Sequence, residues 1–378
     1  MTGWRRGAAL ALLVVFLDAA GSAAQVLIAA NSADNSAGQV MLRRGHAPWR
    51  ARATTLATGA DTVLALGPRG QLAALSRASG ELIIADATDL RPRRRIPLGA
   101  GAQLEDVSLS DACTAWLTRR NTGALLRVDF CGGAVRTHDS VDLSPFADAD
   151  GNPDLGALFV DGDHLFVQVR RRNEDAPLGH ALPAYLAVVD LRSEQLVDTD
   201  PLAPGVQLIT LSGTAPKHRM QIQPGTRRLL VSASGGFFDA GGLEAVNLDT
   251  LRSEGLLIRE ADGRTGADLG PFIMTTASDG FLVFSTDLDL SSHLLRFSLR
   301  GGVEPGPERY VTVGYAMPAL VHEPRANVIF AVDGAFGRIG AHVVDASSGA
   351  RLSRAPLATA GRPTDLLLLG PAASRRAR

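Results

Sequence analysis

The chain has 378 residues and a formal net charge of -1, and 46% of its residues are hydrophobic, 20% charged and 5% aromatic. A near-neutral charge gives no electrostatic basis for binding nucleic acid or an anionic membrane surface. A chain of this length normally forms two or three domains, unless it is one closed repeat architecture.

The first 24 residues have the pattern of an export signal. Arg5 and Arg6 precede an apolar run over residues 7–17, which is too short to span a bilayer. Small residues follow, so we predict cleavage after Ala24, with cleavage after Ala23 as the alternative. A buried N-terminal strand or helix is the competing interpretation. No Cys lies near the cleavage point and no later stretch is apolar enough to span a membrane, so we expect a soluble periplasmic or secreted protein.

A strand-turn-strand unit recurs along the chain after residue 25. Its third strand is the easiest to see, because it is apolar and in several units ends in Val-Asp. The seven third strands are QVML (39–42), ELIIAD (81–86), ALLRVD (124–129), AYLAVVD (184–190), LEAVNL (243–248), HLLRFSL (293–299) and AHVVD (341–345). Their spacing of roughly 50 residues is typical of propeller blades.

The two ends of the chain predict how the ring closes. The segment that begins at Val26 has the pattern of a second strand, and DLLLLG (365–370) is an apolar strand without partners nearby in the sequence. Pairing the two would make the C-terminal strand the inner strand of the first blade and would remove two exposed sheet edges.

The sequence after residue 25 has no amphipathic helical pattern, which a parallel α/β fold would need between its strands. We therefore predict an all-β fold over residues 25–370: a seven-bladed β-propeller of four-stranded antiparallel blades, closed by the C-terminal strand on the N-terminal blade. Residues 371–378 are expected to form a disordered tail.

The repeated unit resembles the secreted seven-bladed propellers of the YncE-like family, which are related to lactonase-like propellers. The matching features are the signal segment and the Val-Asp third strands with a following Gly, as in Val128-Asp129 with Gly132 and Val344-Asp345 with Gly349. The resemblance implies a non-enzymatic binding or surface role, and some propellers of this group capture a ligand such as vitamin B12 for an outer-membrane transporter.

The two cysteines fall in one unit. Cys113 lies in the turn before the second strand of the third unit, and Cys131 lies just after the third strand of that unit. Because these positions are neighbours in an antiparallel meander, we predict a disulfide between them in an oxidising compartment. Two inert buried thiols, or a metal or redox pair, are the alternatives.

The long connections are expected on one face of the propeller, because second-to-third-strand and blade-to-blade connections share a face. They are LSPFADADGNPDLG (143–156), RRNEDAPLGHALP (171–183), PGVQLITLSGTAPKH (204–218), GGFFDAGG (235–242) and EADGRTGADLGP (260–271). Turns assigned to the opposite face, such as RASG (77–80) and PGTR (224–227), are short. Long loops on a rigid scaffold are the usual place for binding, so we predict a recognition surface on blades 4–6. The alternative is that these loops lengthened during evolution without gaining a function.

One of these loops has the spacing of a cation site. Asp148, Asp150, Asn152 and Asp154 present oxygen groups at every second residue, as Ca²⁺ ligands do. The loop differs from an EF-hand, since Gly is at its fourth position and Phe159 stands at the twelfth. A solvated turn is the alternative to a calcium site.

Candidate ligand-binding residues lie on or next to loops of the same face. They are His180, His218 and Arg219 around the fourth unit, Phe237, Phe238 and Asp239 in the fifth, and Asp287 and Asp289 in the sixth. The two Phe side chains would grip an apolar ligand or, alternatively, cover their own loop. Each His would bind a ligand or simply be solvated.

Three functions fit these features. The first is an exported, non-enzymatic propeller that binds a small molecule or an envelope protein through the loops of blades 4–6. The second is a metal-assisted hydrolase of the lactonase type at the propeller axis, and the third is an interaction scaffold. The sequence lacks sialidase Asp-boxes and a GxxxxGK[ST] phosphate loop. We predict the first function, for a monomer without a nucleic-acid partner and with calcium as the one candidate cofactor.

Overall fold

The computed structural model describes residues 24–171, 182–234, 241–263, 267–286, 290–303, 310–314 and 316–370. The predicted signal segment up to residue 23 and the predicted tail at 371–378 lie outside these residues. No helix in the described ranges has the length and apolarity needed to cross a membrane.

The described residues form short β-strands, two 3₁₀ turns (Pro68–Gly70 and Ser144–Phe146) and one helical turn, α1 (Glu260–Gly263). The strands of blades 1–3 are β1 (Gln25–Asn31), β2 (Gly38–Arg44), β3 (Ala51–Thr58), β4 (Thr62–Leu66), β5 (Gln71–Ser76), β6 (Glu81–Asp86), β7 (Pro92–Pro97), β8 (Leu104–Leu109), β9 (Thr114–Arg119), β10 (Ala124–Asp129) and β11 (Arg136–Asp142). Those of blades 4 and 5 are β12 (Leu155–Asp161), β13 (His164–Val169), β14 (Pro183–Asp190), β15 (Gln195–Leu196), β16 (Ile209–Thr214), β17 (Gln221–Ile222), β18 (Arg228–Ala233), β19 (Gly242–Asn247) and β20 (Arg252–Arg259). Those of blades 6 and 7, with the closing strand, are β21 (Ala267–Met274), β22 (Asp279–Thr286), β23 (Ser291–Ser298), β24 (Gly302–Val303), β25 (Tyr310–Val313), β26 (Leu320–Glu323), β27 (Val328–Asp333), β28 (Gly340–Asp345) and β29 (Pro363–Leu369).

These strands make seven antiparallel sheets, which confirms the predicted seven-bladed propeller. Each predicted third strand is the third strand of its blade in the structure: β2, β6, β10, β14, β19, β23 and β28. In blade 7 the fourth strand is replaced by isolated bridges from Arg351 and Leu357 to β28.

The C-terminal strand closes the ring as predicted. β29 pairs antiparallel with β1, from Gln25 opposite Leu369 to Ala30 opposite Pro363, and is the inner strand of blade 1. The closure pairs β1 on both of its edges, and β29 takes the place of the inner strand next to the axis.

The core consists of apolar layers between neighbouring blades. The described residues form seven buried clusters, and each cluster joins two blades that are adjacent in the ring. In β5, for example, Leu72 and Ala74 pack toward blade 1 whereas Ala73 and Leu75 pack toward blade 3. Because successive side chains point to opposite faces, a middle strand buried on both faces reads as a continuous apolar run.

The recurring acidic residue at the end of the third strands closes the following turn. The carboxylate of Asp190 accepts hydrogen bonds from the backbone N–H of Ser193 at 2.7 Å and of Arg192 at 3.0 Å. Asp345 accepts the same bond from Ser348 at 2.7 Å. Such Asx turns satisfy backbone donors at the end of a strand, which explains why this position repeats.

The predicted disulfide is present. Cys113 and Cys131 are bonded, with their Cα atoms 5.0 Å apart. The backbone N–H of Phe130 donates to the carbonyl of Cys113 at 2.9 Å, which places the two chain segments side by side as the meander requires.

Two predicted loops are partly strands. Ile209–Thr214 is β16, which pairs with β14 and completes the outer edge of blade 4, so the insertion in that edge is residues 197–208. Likewise, residues 267–271 of the predicted loop 260–271 belong to β21, the inner strand of blade 6. The assignment of RASG (77–80) was also wrong, because these residues join the second and third strands of blade 2 and lie on the face of the long connections, here called the loop face.

Candidate functional site

His180, Phe237, Phe238, Asp239, Asp287 and Asp289 lie outside the described residues, and their roles stay predictions. The remaining two, His218 and Arg219, follow β16 and precede β17, and they line a channel at the propeller axis instead of an outer loop.

The channel begins at the loop face with a wide polar mouth. A cavity of about 330 Å³ lies between the starts of blades 1, 2 and 7 and is lined by Asn31, Asn35, Asp61, Arg77, Pro318, Arg362, Pro363 and Thr364. Arg77 and Asp61 are joined side by side, with Nε–Oδ2 and Nη2–Oδ1 distances of 2.9 and 2.6 Å. A paired guanidinium of this kind holds the mouth in a fixed shape.

A second cavity of about 230 Å³ continues from the mouth toward blades 3–5 and is charged. Its lining includes three cations (Arg77, Lys217, Arg219), three carboxyl groups (Glu105, Asp106, Asp365) and the imidazole of His218. The inner strands β4, β8, β12 and β29 and the segment before β17 supply most of these residues, and Pro318 precedes β26 of blade 7, so the site is assembled from six blades.

A third cavity of about 220 Å³ lies on the opposite side of the axis and is mainly apolar. The residues around it are His218, Arg219, Met220, Gln221, Pro271, Phe272, Ile273, Pro318, Ala319, Leu320, Val321, Asp365, Leu366 and Leu367. It shares His218, Arg219, Pro318 and Asp365 with the charged cavity, so the channel is polar on one side and apolar on the other.

Two ion pairs of Glu105, one of them with the buried Arg170, hold the polar side in place. Glu105 bonds Arg170 at 3.0 Å and Arg120 at 3.1 Å, and Arg170 also donates to the carbonyls of Asp154 and Leu155. Although burial acts in the opposite direction, the guanidinium groups of Arg170 and its neighbours hold the pKa of Glu105 below its usual value. Glu105 is therefore ionised and fixed.

Two carboxyl groups on the channel link neighbouring blades. Asp106 on β8 accepts the backbone N–H of Leu158 in blade 4 at 2.8 Å, and Asp365 on β29 accepts that of Leu64 in blade 2 at 2.7 Å. Burial raises the pKa of Asp106 to about 6, against the opposing effects of Arg219 and of the Leu158 N–H. Burial likewise raises the pKa of Asp365, while the nearby guanidinium of Arg219 opposes this.

His218 contributes a neutral polar group to the channel. Burial lowers the pKa of the imidazole to about 3, and the charges of Lys217 and Arg170 act in the same direction. The carbonyl of His218 accepts a bond from Gln168 at 3.0 Å, which fixes its backbone against blade 4. At neutral pH this imidazole can donate or accept a hydrogen bond without adding charge.

The axial residues other than His218 and Arg219 were missed by sequence reasoning. Asp365 is the one charged residue of the largely apolar inner strand β29, and a carboxyl group in such a strand is a signal that could have been used. Asp106 gives a weaker signal, because its strand β8 also contains Glu105 and Ser108. Which inner strands face one another depends on how the ring closes. Residue spacing along the sequence does not show this arrangement.

The predicted calcium loop lies in the connection between β11 of blade 3 and β12 of blade 4. The carboxylates of Asp148, Asp150 and Asp154 offer oxygen atoms within 4.8 Å of one another, whereas the amide of Asn152 donates to the carbonyl of Arg120 at 2.8 Å. Burial and the neighbouring Asp150 raise the pKa of Asp148. In the described part of the chain, this is the one group of three acidic, His or Cys side chains close enough to share a cation.

Comparisons with known proteins show the fold. No protein-family model and no curated protein matches the sequence. Among solved structures, the chain is similar to the periplasmic gluconolactonase PpgL of Pseudomonas aeruginosa, with 12% identity, a TM-score of 0.63, and 92% of this chain and 99% of that one covered. It is also similar to a Lactobacillus plantarum protein (13% identity, TM-score 0.59, 92% and 99% covered) and to apo AztD from Citrobacter koseri (14% identity, TM-score 0.54, 92% and 98% covered). These similarities extend over the whole propeller and concern its architecture.

Proposed function

We propose that this protein is an exported binding protein that holds a small molecule in its axial channel without chemical turnover. The observation that carries the proposal is the set of three adjoining cavities, which all border Pro318 and lead from the loop face to the apolar side of the axis. A largely preformed concave site with a few placed polar groups is the usual form of a small-molecule site.

The charges of the channel suit a ligand rather than a closed structural core. The polar cavity is surrounded by ion pairs, but Lys217 and Arg362 make no ion pair with the described residues. The ion pairs around the cavity join other charged side chains to one another, so they do not neutralise Lys217 and Arg362. Lys217 leaves donors for a polar or anionic group in the charged cavity, and Arg362 leaves donors at the mouth.

A periplasmic or secreted location is part of the proposal. The N-terminal pattern, the Cys113–Cys131 bond and the absence of other cysteines suit an oxidising compartment. One of the structurally similar proteins is itself described as periplasmic.

Native mass spectrometry of the mature protein purified from its own host tests the binding role. Pro318→Trp places a large ring where the three cavities meet, and Pro324→Trp is the matched control, because Pro324 is an exposed proline in the turn between β26 and β27 on the opposite face. We expect a bound small molecule on the wild type and on the control, and none on Pro318→Trp. Equal occupancy in both variants, or a wild type that carries nothing and shows no thermal shift with a host small-molecule extract, contradicts the proposal.

The hydrolase alternative remains a separate prediction. Asp106, whose pKa of about 6 is raised by burial, would be the acid-base group that such an enzyme needs. Gluconolactone hydrolysis measured with and without added divalent cation tests it, and turnover that is lost in Asp106→Asn would replace the binding role by catalysis.

A further inference from the structure

Arg219 reaches across the axis of the propeller. It precedes β17 in blade 5, yet its guanidinium bonds groups on β29 in blade 1 and on β4 in blade 2. Blades 6 and 7 lie between blade 5 and blade 1 on one side of the ring, and blades 3 and 4 lie between blade 2 and blade 5 on the other. The side chain therefore crosses the channel instead of running along one wall.

Three hydrogen bonds hold this crossing side chain. Nη2 lies 2.5 Å from Oδ2 of Asp365 and also donates to the carbonyl of Leu64, and Nη1 donates to the carbonyl of Leu366 at 3.1 Å. A guanidinium has five N–H groups. Within the described residues the other two, including Nε–H, have no partner, and the side chain is 38% exposed.

The position of Arg219 separates the two inner cavities. It borders both the charged cavity and the apolar cavity, together with His218, Pro318 and Asp365. A molecule that occupies both must pass this guanidinium and can bond its free donors. Lys217, the neighbouring residue, adds a second cation on the charged side.

We propose that Arg219 is the anion-recognition residue of the channel, and that the bound molecule is an amphiphilic monocarboxylate. Its charged group meets Arg219 and Lys217, and its apolar part fills the cavity formed by Phe272, Leu320, Leu366 and their neighbours. This inference rests on the proposed binding function and names the ligand class for the same site.

The charges around the site favour a single negative charge. Arg219 and Lys217 attract a carboxylate, and an arginine matches the carboxylate shape well. Glu105, Asp106 and Asp365 border the same cavity and would repel a doubly charged group such as a phosphate monoester. The apolar side supplies no further charged partner beyond Arg219 and Asp365 among its described lining residues.

Calorimetry with straight-chain carboxylates from butanoate to decanoate tests the ligand class, with the primary alcohols of equal length as uncharged controls. We expect affinity to rise about fourfold for each added methylene until the apolar cavity is full. Each carboxylate is expected to bind at least about tenfold more tightly than its alcohol, as a charge-assisted hydrogen bond provides.

Two variants assign the anion contact. We expect Arg219→Gln and Lys217→Met each to weaken octanoate binding about tenfold or more while changing octanol binding by less than about threefold. Arg192→Gln is the matched control, because Arg192 forms an exposed pair with Asp163 and lies outside the channel lining. Lys217 is exposed, so its variant still reports if Arg219→Gln fails to fold.

The outcomes separate this inference from the proposed function. Octanoate binding that is unchanged in both variants, or that does not exceed butanoate binding, overturns the inference. A native ligand that Pro318→Trp excludes but that is not an amphiphilic anion also overturns it, while the binding function stands. Equal native occupancy in Pro318→Trp and Pro324→Trp removes the binding function itself.

Discussion

At the residue scale, the channel combines two titratable groups whose pKa values shift in opposite directions on burial. Burial raises the pKa of Asp106 to about 6 and lowers that of His218 to about 3. The folded protein thus favours the neutral form of both groups, as expected for side chains surrounded by protein with incomplete charge compensation. Both remain beside ionised partners, so the cavity keeps its polar character.

These shifts predict a dependence of stability on pH. For Asp106, the folded pKa lies above the ordinary 3.8, so the free energy of unfolding falls as the pH rises from about 4 to 6, by about 1 to 3 kcal/mol. For His218, the folded pKa lies below 6.5, so stability falls as the pH drops from 6.5 toward 3. The two effects oppose each other between pH 4 and 6.

Asp106→Asn distinguishes the pH effect of Asp106 from that of His218. The amide oxygen can still accept the hydrogen bond from the Leu158 N–H, but the side chain carries no charge. We measure the free energy of unfolding in urea for the variant and for the wild type. We expect the difference, variant minus wild type, to rise by about 1 to 3 kcal/mol between pH 4 and pH 7. His218→Gln should lose the acid sensitivity below pH 6.5. Parallel pH curves for wild type and Asp106→Asn would show that this carboxyl group titrates normally.

The calcium prediction also belongs to single residues. Asp148, Asp150 and Asp154 converge, and burial together with the neighbouring Asp150 raises the pKa of Asp148. A cation would relieve the repulsion between these carboxylates. We expect isothermal calorimetry to detect Ca²⁺ binding by the mature protein, with a rise in Tm, and expect Asp150→Ala to lose both. Asp163→Ala is the control for an exposed carboxylate. Absence of both heat and Tm change in the wild type would leave the loop as a solvated turn.

At the element scale, the sequence predicted those strands that can be recognised from their apolar pattern and from the turn residues that follow them. The third strands were found because they are apolar on both faces and end in an Asx turn. β16 was taken for a loop because Ser212 and Gly213 interrupt its apolar pattern. In the structure, a Cβ on Gly213 would lie 2.6 Å from the Cβ of Ala233, so close packing against blade 5 explains the glycine.

β21 was missed for a related reason. Its start, Ala267–Pro271, is rich in Asp, Gly and Pro, which are typical of turns. The buried carboxylate of Glu260 accepts the backbone N–H groups of Leu269 and Gly241, and these bonds tie the segment to blade 5. Such long-range bonds override local turn preference and are not visible in a single sequence.

The closing strand makes the most direct prediction at this scale. Deletion of residues 362–378 removes β29, and with it Leu366 from the layer between blades 7 and 1 and Asp365 from its bonds to Leu64 and Arg219. Losing this buried leucine and its neighbours predicts a Tm lower by roughly 10 °C or more, or the loss of cooperative unfolding. Deletion of 371–378 is the matched control and is expected to leave the Tm unchanged. Equal Tm values for the two truncated proteins, measured by calorimetry, would show that β29 does not close the ring.

At the scale of the whole molecule, closure of the ring brings the inner strands of different blades together in one site. The charged and apolar sides of the channel come from blades distant in sequence, and Arg219 connects three of them. Sequence reasoning located two channel residues, His218 and Arg219, but placed them on an outer surface, because their position relative to the axis depends on ring closure. The proposed binding site is therefore a property of the closed propeller and not of any one blade.

A crystal structure of the mature protein purified from its own host, without added ligand, tests the central claim most directly. The account predicts non-protein electron density in the axial channel, between Lys217 at the polar side and Val321 at the apolar side and in contact with Arg219. Density for a bound molecule on the outer loops of blades 4–6, with ordered water alone in the channel, would contradict it.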